Sequence, residues 1–269
     1  MPKPVYGRAR KPGSLAQVQR FAQGWNSPEA RFLVPLMSQD YFFKFYDFDN
    51  DTITSDFTAA NGGGTAVSDF AASTSLEFGQ LTGSTGTSHD ATAAISLNYD
   101  GVLFDAARNP GIMVRLKLGA VSAVYCEVSW CDAPTQPYVL NWSDVDVPTQ
   151  ASNGVTDIAS VVIDTSQTHK GAQLISVGTT DSTATAANLA PATGTAGSPL
   201  AAGVFSTILL QVGNRCSYAN IDGQASSEGS LAVGMDTGLK LRPQIMVQAR
   251  SATAVTCTID YIAIWSERA

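Results

Sequence analysis

Alternating apolar and polar positions are the clearest pattern in this chain, and they predict β-strands. Residues 111–118 and residues 124–130 each carry an apolar side chain at every second position. A period of two places one face of a strand on a core and the other face toward water. Because only residues 119–123 separate the two runs, we expect them to form an antiparallel hairpin.

The C-terminal part of the chain repeats this pattern in residues 244–250 and 255–265, which we expect to pair with each other. The second run is polar on one face as far as Asp260, whereas Ile262 and Ile264 make its end apolar on both faces, as in a central strand. The opposite face of this run is apolar throughout: Val255, Cys257, Ile259, Tyr261, Ala263 and Trp265.

Other segments complete an all-β prediction. Six further strands are expected, at 41–48, 138–142, 158–163, 172–178, 204–212 and 216–221. Asn61–Gly64, Gly83–Gly86 and Asp222-Gly223 predict turns, and residues 179–203, rich in Ala, Thr, Gly and Ser, predict a long loop. Because no βαβ alternation or internal repeat is visible, we expect an antiparallel β-sandwich or jelly roll.

The N-terminus differs from the rest of the chain. Ser14 can cap a short amphipathic helix that ends near Ala22, with an apolar face of Leu15, Val18, Phe21 and Ala22. We therefore divide the chain into an N-terminal arm, residues 1–38, and a jelly-roll body, residues 39–269.

Charge separates these two parts as well. The net charge is −7, yet the first 31 residues hold six basic residues and one acidic residue, while the remainder holds 10 basic and 22 acidic residues and is net −12. A basic arm on an acidic body predicts docking on an acidic partner or a solvated tail, but not nucleic-acid binding as the main activity, because phosphates repel an acidic body. The candidate contact residues are Lys3, Arg8, Arg10, Lys11 and Arg20.

Composition narrows the class of protein further. The chain is 44% hydrophobic and 14% charged, which argues against charge-driven disorder. No apolar run approaches the roughly 18 residues of a membrane helix, and the first residues lack the apolar segment of a signal peptide. We therefore expect synthesis in the cytosol and no membrane partner.

Several segments together resemble jelly-roll structural proteins of tailed bacteriophages with a concanavalin/laminin-G-like sandwich. Arg-Pro-Gln-Ile-Met-Val at 242–247 precedes Ile-Asp-Tyr-Ile-Ala-Ile-Trp at 259–265, and the segments 108–118 and 124–132 fit the same pattern. Residues 218–223 resemble a Tyr-Ile-Asp-Gly hairpin that is interrupted by two residues. The resemblance extends over about residues 108–268.

The resemblance implies a non-enzymatic virion protein with no cofactor. Its most specific form is a capsid decoration or cement protein, assembled in the host cytoplasm, that clamps neighbouring capsid or other virion subunits through its arm and loops. A homo-oligomer is expected, with a trimer as the guess. The alternatives are a carbohydrate-binding, lectin-like module and a tail or fibre component.

Acidic residues supply the candidate chemistry. Asp47, Asp49 and Asp51 could ring a Ca²⁺ ion, although the EF-hand pattern fails after them. Asp144 and Asp146 could serve a glycosidase only if another carboxylate faced them across a cleft. The Glu-x-Asp-x-x-Glu signature of sandwich-fold glucanases is absent, and we expect no catalytic residues.

We expect structural roles for the histidines, cysteines and tryptophans. His89 and His169 are isolated, so a zinc set or serine triad is not expected. Cys126, Cys131, Cys216 and Cys257 form no CxxC pair; free thiols are expected, and an intermolecular bridge is the alternative. Trp130, Trp142 and Trp265 are expected in the core rather than on a sugar-binding platform.

Overall fold

A computed structural model describes most of the body of the chain. The described residues are 41–48, 55–73, 79–88, 91–132, 139–145, 147–151, 153–166, 171–178, 181–190, 200–224, 227–232 and 235–268. The predicted N-terminal arm and its helix lie outside these residues. No helix among the described residues is long and apolar enough to cross a membrane.

Within these ranges the chain forms seventeen strands and two short 3-10 turns, at Ala91–Ala93 and Ala106–Arg108. The strands are β1 (Tyr41–Tyr46), β2 (Phe57–Asn61), β3 (Ser68–Ala72), β4 (Leu81–Ser84), β5 (Ala94–Tyr99), β6 (Gly111–Leu118), β7 (Val124–Cys131), β8 (Trp142–Asp144), β9 (Thr149–Gln150), β10 (Ile158–Asp164), β11 (Ala172–Gly178), β12 (Asp181–Ala190), β13 (Ser206–Val212), β14 (Ser217–Ile221), β15 (Glu228–Leu231), β16 (Arg242–Ala249) and β17 (Thr256–Glu267).

Two antiparallel sheets contain nearly all of these strands, as the predicted sandwich requires. The eight-stranded sheet has the order β15-β14-β13-β6-β17-β4-β3, and β1 also pairs with β17. The seven-stranded sheet has the order β12-β11-β10-β7-β16-β5-β2, while β8 and β9 form a separate two-stranded sheet. The prediction of an all-β, antiparallel sandwich is confirmed.

The main core lies between the two large sheets. Every second residue of β6 and β7, the strands with the clearest alternation, points into it, including Val114, Leu116, Val128 and Trp130. At roughly 25 cal/mol for each Å² of apolar surface buried, this shared core is the main source of stability. The faces that the sequence assigned to the core in these two strands are therefore correct.

The predicted partners of these strands are wrong. β6 pairs with β13 and β17 in the eight-stranded sheet, whereas β7 pairs with β10 and β16 in the seven-stranded sheet. The short connection at residues 119–123 crosses from one sheet to the other, a distance of about 10 Å. Alternation reveals which face of a strand is buried, but it does not reveal whether the next strand lies beside it or opposite it.

The same error affects the C-terminal strands. β16 pairs with β5 and β7, and β17 pairs with β1, β4 and β6, so the two do not form the expected pair. The register between β17 and β6 also shifts between Ile259 and Tyr261, as at a β-bulge. Before this bulge Ile259 points into the main core, and after it Ile262 and Ile264 do, so Tyr261 and Trp265 reach the outer face.

Of the predicted turns and loops, some are confirmed and others are wrong. The turn at Asp222-Gly223 is confirmed, because both residues have positive φ, of 55° and 66°. The predicted loop at 179–203 is wrong for its first half, where β12 forms the edge of the seven-stranded sheet. Its Ala- and Thr-rich sequence hid this strand, because small residues give little apolar contrast. Gly83 lies in β4 rather than in a turn.

Candidate functional site

A row of uncharged polar side chains crosses the outer face of the seven-stranded sheet. Five adjacent strands each contribute one residue to this polar row: Thr58, Asn98, Gln244, Ser129 and Ser160, from β2, β5, β16, β7 and β10. Each is the direct register partner of the next, so at about 4.8 Å between strands the row is about 19 Å long. Such an uninterrupted row of hydroxyl and amide groups favours a polar, uncharged ligand.

One end of the polar row approaches the solvent. Thr58 is exposed, whereas Asn98 beside it is 2% exposed. The Asn98 amide nitrogen donates to Ser96 Oγ at 3.1 Å and to the Thr58 carbonyl at 3.4 Å, but its Oδ1 accepts no hydrogen bond. A buried oxygen without a donor is costly and rare in native proteins. Asn98 therefore offers an unfilled acceptor.

A buried carboxylate lies next to the middle of the polar row. Glu127 on β7 is 0% exposed, and three donors reach its two oxygens. The Tyr125 hydroxyl donates to Oε2 at 2.5 Å, while Asn141 Nδ2 and the Ser160 hydroxyl each donate to Oε1 at 2.6 Å. Burial and the neighbouring Glu127 carboxylate raise the pKa of Tyr125 well above its usual value, so its hydroxyl remains a donor.

Residues 139–145, 147–151 and 153–157 cover this part of the polar row, and we call them the covering segment. Asn141 Nδ2 reaches Ser129 Oγ at 3.2 Å and Gln244 Oε1 at 3.3 Å, and the Trp142 indole donates to Ser160 Oγ at 3.0 Å. Trp142 also packs into a second apolar cluster, with Tyr125, Cys131, Val145, Val155, Ile158, Val162, Ile175 and Val177. At the opposite end of the polar row Thr58 is the exposed member, and we call this the open end.

The covering segment is itself held by an asparagine pair. Asn153 donates to Asn141 Oδ1 at 2.6 Å and accepts from the Val155 backbone N–H at 3.1 Å, and the Ala151 N–H donates to the Asn141 carbonyl at 2.8 Å. Both amides of Asn141 and Asn153 are buried. These bonds fix the Asn141 side chain over Glu127, where it takes the place that a polar ligand could occupy.

The order of residues along β7 bears on catalysis. Glu127, Ser129 and Asp132 stand at the three positions of the Glu-x-Asp-x-x-Glu signature, so a carboxylate is present at the first and last positions and a hydroxyl at the middle one. The Cα atoms of residues 127 and 132 are up to roughly 17 Å apart along an extended strand. Asp132 accepts hydrogen bonds from the Thr156 N–H and hydroxyl at 2.9 and 3.0 Å. Glu127 and Asp132 therefore have separate hydrogen-bond partners.

Many of the residues singled out in the sequence are not among those that the structure describes. Lys3, Arg8, Arg10, Lys11 and Arg20 lie outside the described residues, as do Asp49, Asp51, Asp146, His89 and His169.

Of the acidic candidates, Asp47 is buried just after β1, and Asp144 lies in β8, where its Oδ1 accepts from the Val147 N–H at 3.1 Å. No cluster of three or more potential metal ligands occurs in the described part of the chain.

The four cysteines are free; Cys216 is exposed and the other three are buried. Burial and the Glu127 charge raise the pKa of Cys126 to about 12, and burial likewise raises the pKa of Cys131 and Cys257, so these three thiols are poor nucleophiles.

Sequence reasoning missed the polar row and the Glu127 site. Their members are separated by up to 186 positions, between Thr58 and Gln244. Residues so far apart form no local sequence motif. One signal was available: β7 and β16 each alternate apolar residues with Glu, Ser or Gln, and polar residues in consecutive strands can share one face. The Glu127–Asp132 spacing was a second signal.

Comparisons with known proteins address the fold. No protein-family model and no curated protein matches the sequence. Solved structures do match: the carbohydrate recognition domain of Emp47p at 14% identity and a TM-score of 0.51, covering 86% of this chain and 97% of that chain.

Two further solved structures match similarly. LamA from Z. galactanivorans, in complex with laminaritriose and laminaritetraose, is 10% identical with a TM-score of 0.53, covering 84% of this chain and 99% of that chain. The Bacillus licheniformis β-glucanase is 12% identical with a TM-score of 0.51, covering 86% of this chain and 100% of that chain. At these identities the comparison establishes the fold, a jelly roll, and nothing finer.

These structures change two expectations. The prediction that the chain is not an enzyme is corrected, because a β-glucanase has the same fold and an absent sequence signature did not justify excluding catalysis. The bacteriophage virion role gains no support, since the three structures are a carbohydrate recognition domain, LamA in complex with laminaritriose and laminaritetraose, and a β-glucanase. The carbohydrate-binding alternative fits them better.

Proposed function

We propose that this protein binds a neutral carbohydrate on the outer face of its seven-stranded sheet, at the open end of the polar row. The proposal rests on the pairing register of the strands. Five adjacent strands each present an uncharged hydroxyl or amide in one line. Sugar hydroxyls both donate and accept hydrogen bonds, so they match side chains that do the same.

The approach to the site follows from burial. Thr58 presents an exposed hydroxyl, and beside it the Asn98 Oδ1 is buried without a donor, so a sugar reaches this oxygen only when the groups above it move aside. A sugar hydroxyl that donates to this oxygen removes the cost of leaving it unsatisfied, which is about 1–3 kcal/mol. Arg242 and Asp100, joined at 2.9 Å, form the charged margin of this end.

The fold relatives support the same class of ligand. Emp47p is represented by its carbohydrate recognition domain, and LamA was solved with laminaritriose and laminaritetraose. A short neutral β-glucan such as laminaritetraose is therefore the first probe, and its length suits a row of about 19 Å.

Isothermal titration calorimetry with laminaritetraose and a panel of other neutral oligosaccharides tests the proposal. Thr58→Val keeps the shape of an exposed strand residue but removes its hydroxyl, so we expect affinity to fall by about 2- to 12-fold, the value of one hydrogen bond. Thr256→Val, an exposed threonine on the eight-stranded sheet, is the matched control and is expected to bind as the wild type does. Absence of binding to every oligosaccharide would reject the proposal, as would equal losses in both variants.

Hydrolysis of the bound glycan is a second candidate, favoured by the Glu127 carboxylate beside the polar row and by the β-glucanase that shares the fold. Chromatography of the oligosaccharide after prolonged incubation tests it. Shortened products that disappear in Glu127→Gln, with binding retained, would establish catalysis at this carboxylate. Intact oligosaccharide would limit the function to binding.

A further inference from the structure

The outer face of the eight-stranded sheet is aromatic where five adjacent strands, β14, β13, β6, β17 and β1, lie side by side. We call this surface the aromatic face. Its members form one cluster: Met113, Leu209, Tyr261, Ala263 and Trp265 are buried, and Tyr41, Phe43, Phe45 and Tyr218 pack against them. At about 4.8 Å between strands the aromatic face is about 19 Å wide.

Trp265 shows that this face is shielded from water. It lies outside the main core yet is 0% exposed. Its indole lies against Gly111 of β6, and a Cβ atom at that position would collide with the ring. On its other side the register partner of Trp265 is Phe43 of β1. Neighbours within one sheet can flank an indole, but they cannot cover its upper surface.

The position of the N-terminus indicates which part of the chain could lie over the aromatic face. β1 begins at Tyr41 on the aromatic face itself, so residues 1–40 join the body at this surface. The sequence predicts an amphipathic helix at 14–22 within them. The intervening residues 23–40 can extend up to roughly 60 Å, enough to bring the helix anywhere on a surface 19 Å wide.

We propose that residues 1–40 dock on the aromatic face of their own chain, through the apolar side of the predicted helix. A tethered segment acts at an effective concentration in the millimolar range, which favours its own body over a second copy. Leu15, Val18 and Phe21 supply the apolar contacts.

Charge at the margins of the aromatic face fits the same occupant. Glu267 is the register partner of Tyr41, and Glu228 lies close enough to Tyr218 for their hydrogen bond and charge, after burial, to raise the pKa of that tyrosine. Both glutamates are exposed. The first 31 residues are net +5, with six basic residues and one acidic residue, so arginines beside the helix can pair with this acidic margin.

The test uses the full chain. In Leu15→Asp/Phe21→Asp the helix carries charge on its apolar side, and we expect ~5-fold stronger fluorescence of the dye ANS than in the wild type, because the aromatic face is uncovered. Ala16→Asp/Gln17→Asp adds the same charge away from the apolar side of the helix and is expected to match the wild type. Equal fluorescence in both variants would overturn the proposal.

A second measurement does not depend on these variants folding well. Photo-crosslinking from p-benzoylphenylalanine at position 21 is expected to join residue 21 to the peptides of β1 or β17 within a chain of monomer mass. Crosslinks to the seven-stranded sheet would overturn the proposal. A crosslinked product of dimer mass would do so as well, because it would identify a second copy as the occupant.

Discussion

The two outer faces of the sandwich each bury a tryptophan, but they do so with opposite chemistry. On the seven-stranded sheet, Trp142 belongs to a described covering segment that also brings Asn141 onto a carboxylate and a polar row. On the eight-stranded sheet, Trp265 lies among aromatic residues of its own sheet. The comparison teaches that burial alone does not mark a functional surface. A covered polar face suits a small polar ligand, whereas a covered aromatic face suits a polypeptide.

On the seven-stranded sheet, the largest effect on stability is expected from replacing Glu127. Replacing it by Ala leaves the hydroxyls of Tyr125 and Ser160 buried without this acceptor and takes from Asn141 Nδ2 the shortest of its three contacts. We expect the free energy of unfolding to fall by about 3–5 kcal/mol, measured by urea denaturation. Asp69→Ala removes an exposed carboxylate and is expected to change it by less than about 0.5 kcal/mol. A small effect at Glu127 would mean that its bonds do not hold the covering segment.

On the aromatic face, the substitution Gly111→Ala tests the packing of Trp265. An added methyl group in Gly111→Ala collides with the Trp265 indole, so we expect a loss of about 1–3 kcal/mol in urea denaturation. Gly119→Ala is the matched control, because its Cβ would meet Thr256 at an ordinary 3.4 Å. If the two variants are equally stable, Trp265 is not fixed against β6.

A weaker prediction concerns the contact between the edges of the two sheets. Lys44 and Tyr46 of β1 each donate to Asp56, which precedes β2, at 2.6 Å. Burial opposes ionisation of Asp56, but the hydrogen bonds from Lys44 and Tyr46 outweigh it and lower its pKa.

Since the folded pKa lies below the unfolded value of about 3.9, this stabilisation is complete above that pH and is lost as the pH falls through the folded pKa. Asp56→Asn is therefore expected to flatten the acid limb of stability against pH by less than about 1 kcal/mol, since the pair is partly exposed. Asp69→Asn, which changes an exposed aspartate in β3, is the control, and an equally flattened acid limb there would contradict the assignment.

Some features of the fold could be predicted from the sequence and others could not. Alternation identified the core faces of β6, β7 and β16 because a period of two is a local property. It failed on the pairing of β6 with β7, since a five-residue connection serves a hairpin and a crossing between sheets equally well. It failed again in β17, where one bulge after Ile259 reversed the face of every later residue.

The candidate site was less accessible to sequence reasoning than the fold. Glu127, Asn141, Ser160 and Gln244 meet only because β7, β10 and β16 are neighbours and the covering segment folds back over them. None of these contacts follows from spacing along the chain. Asp47 and Asp144 came from two separate candidate sets, whose other members, Asp49, Asp51 and Asp146, lie outside the described residues.

The central claim is carbohydrate binding at the open end of the polar row, and side-chain amide NMR tests it most directly. During titration with laminaritetraose, the account predicts that the NH₂ signals of Asn98 and Gln244 shift in proportion to saturation, while those of Asn220 on the eight-stranded sheet stay in place. Shifts confined to other residues, or no shift at saturating oligosaccharide, would contradict it.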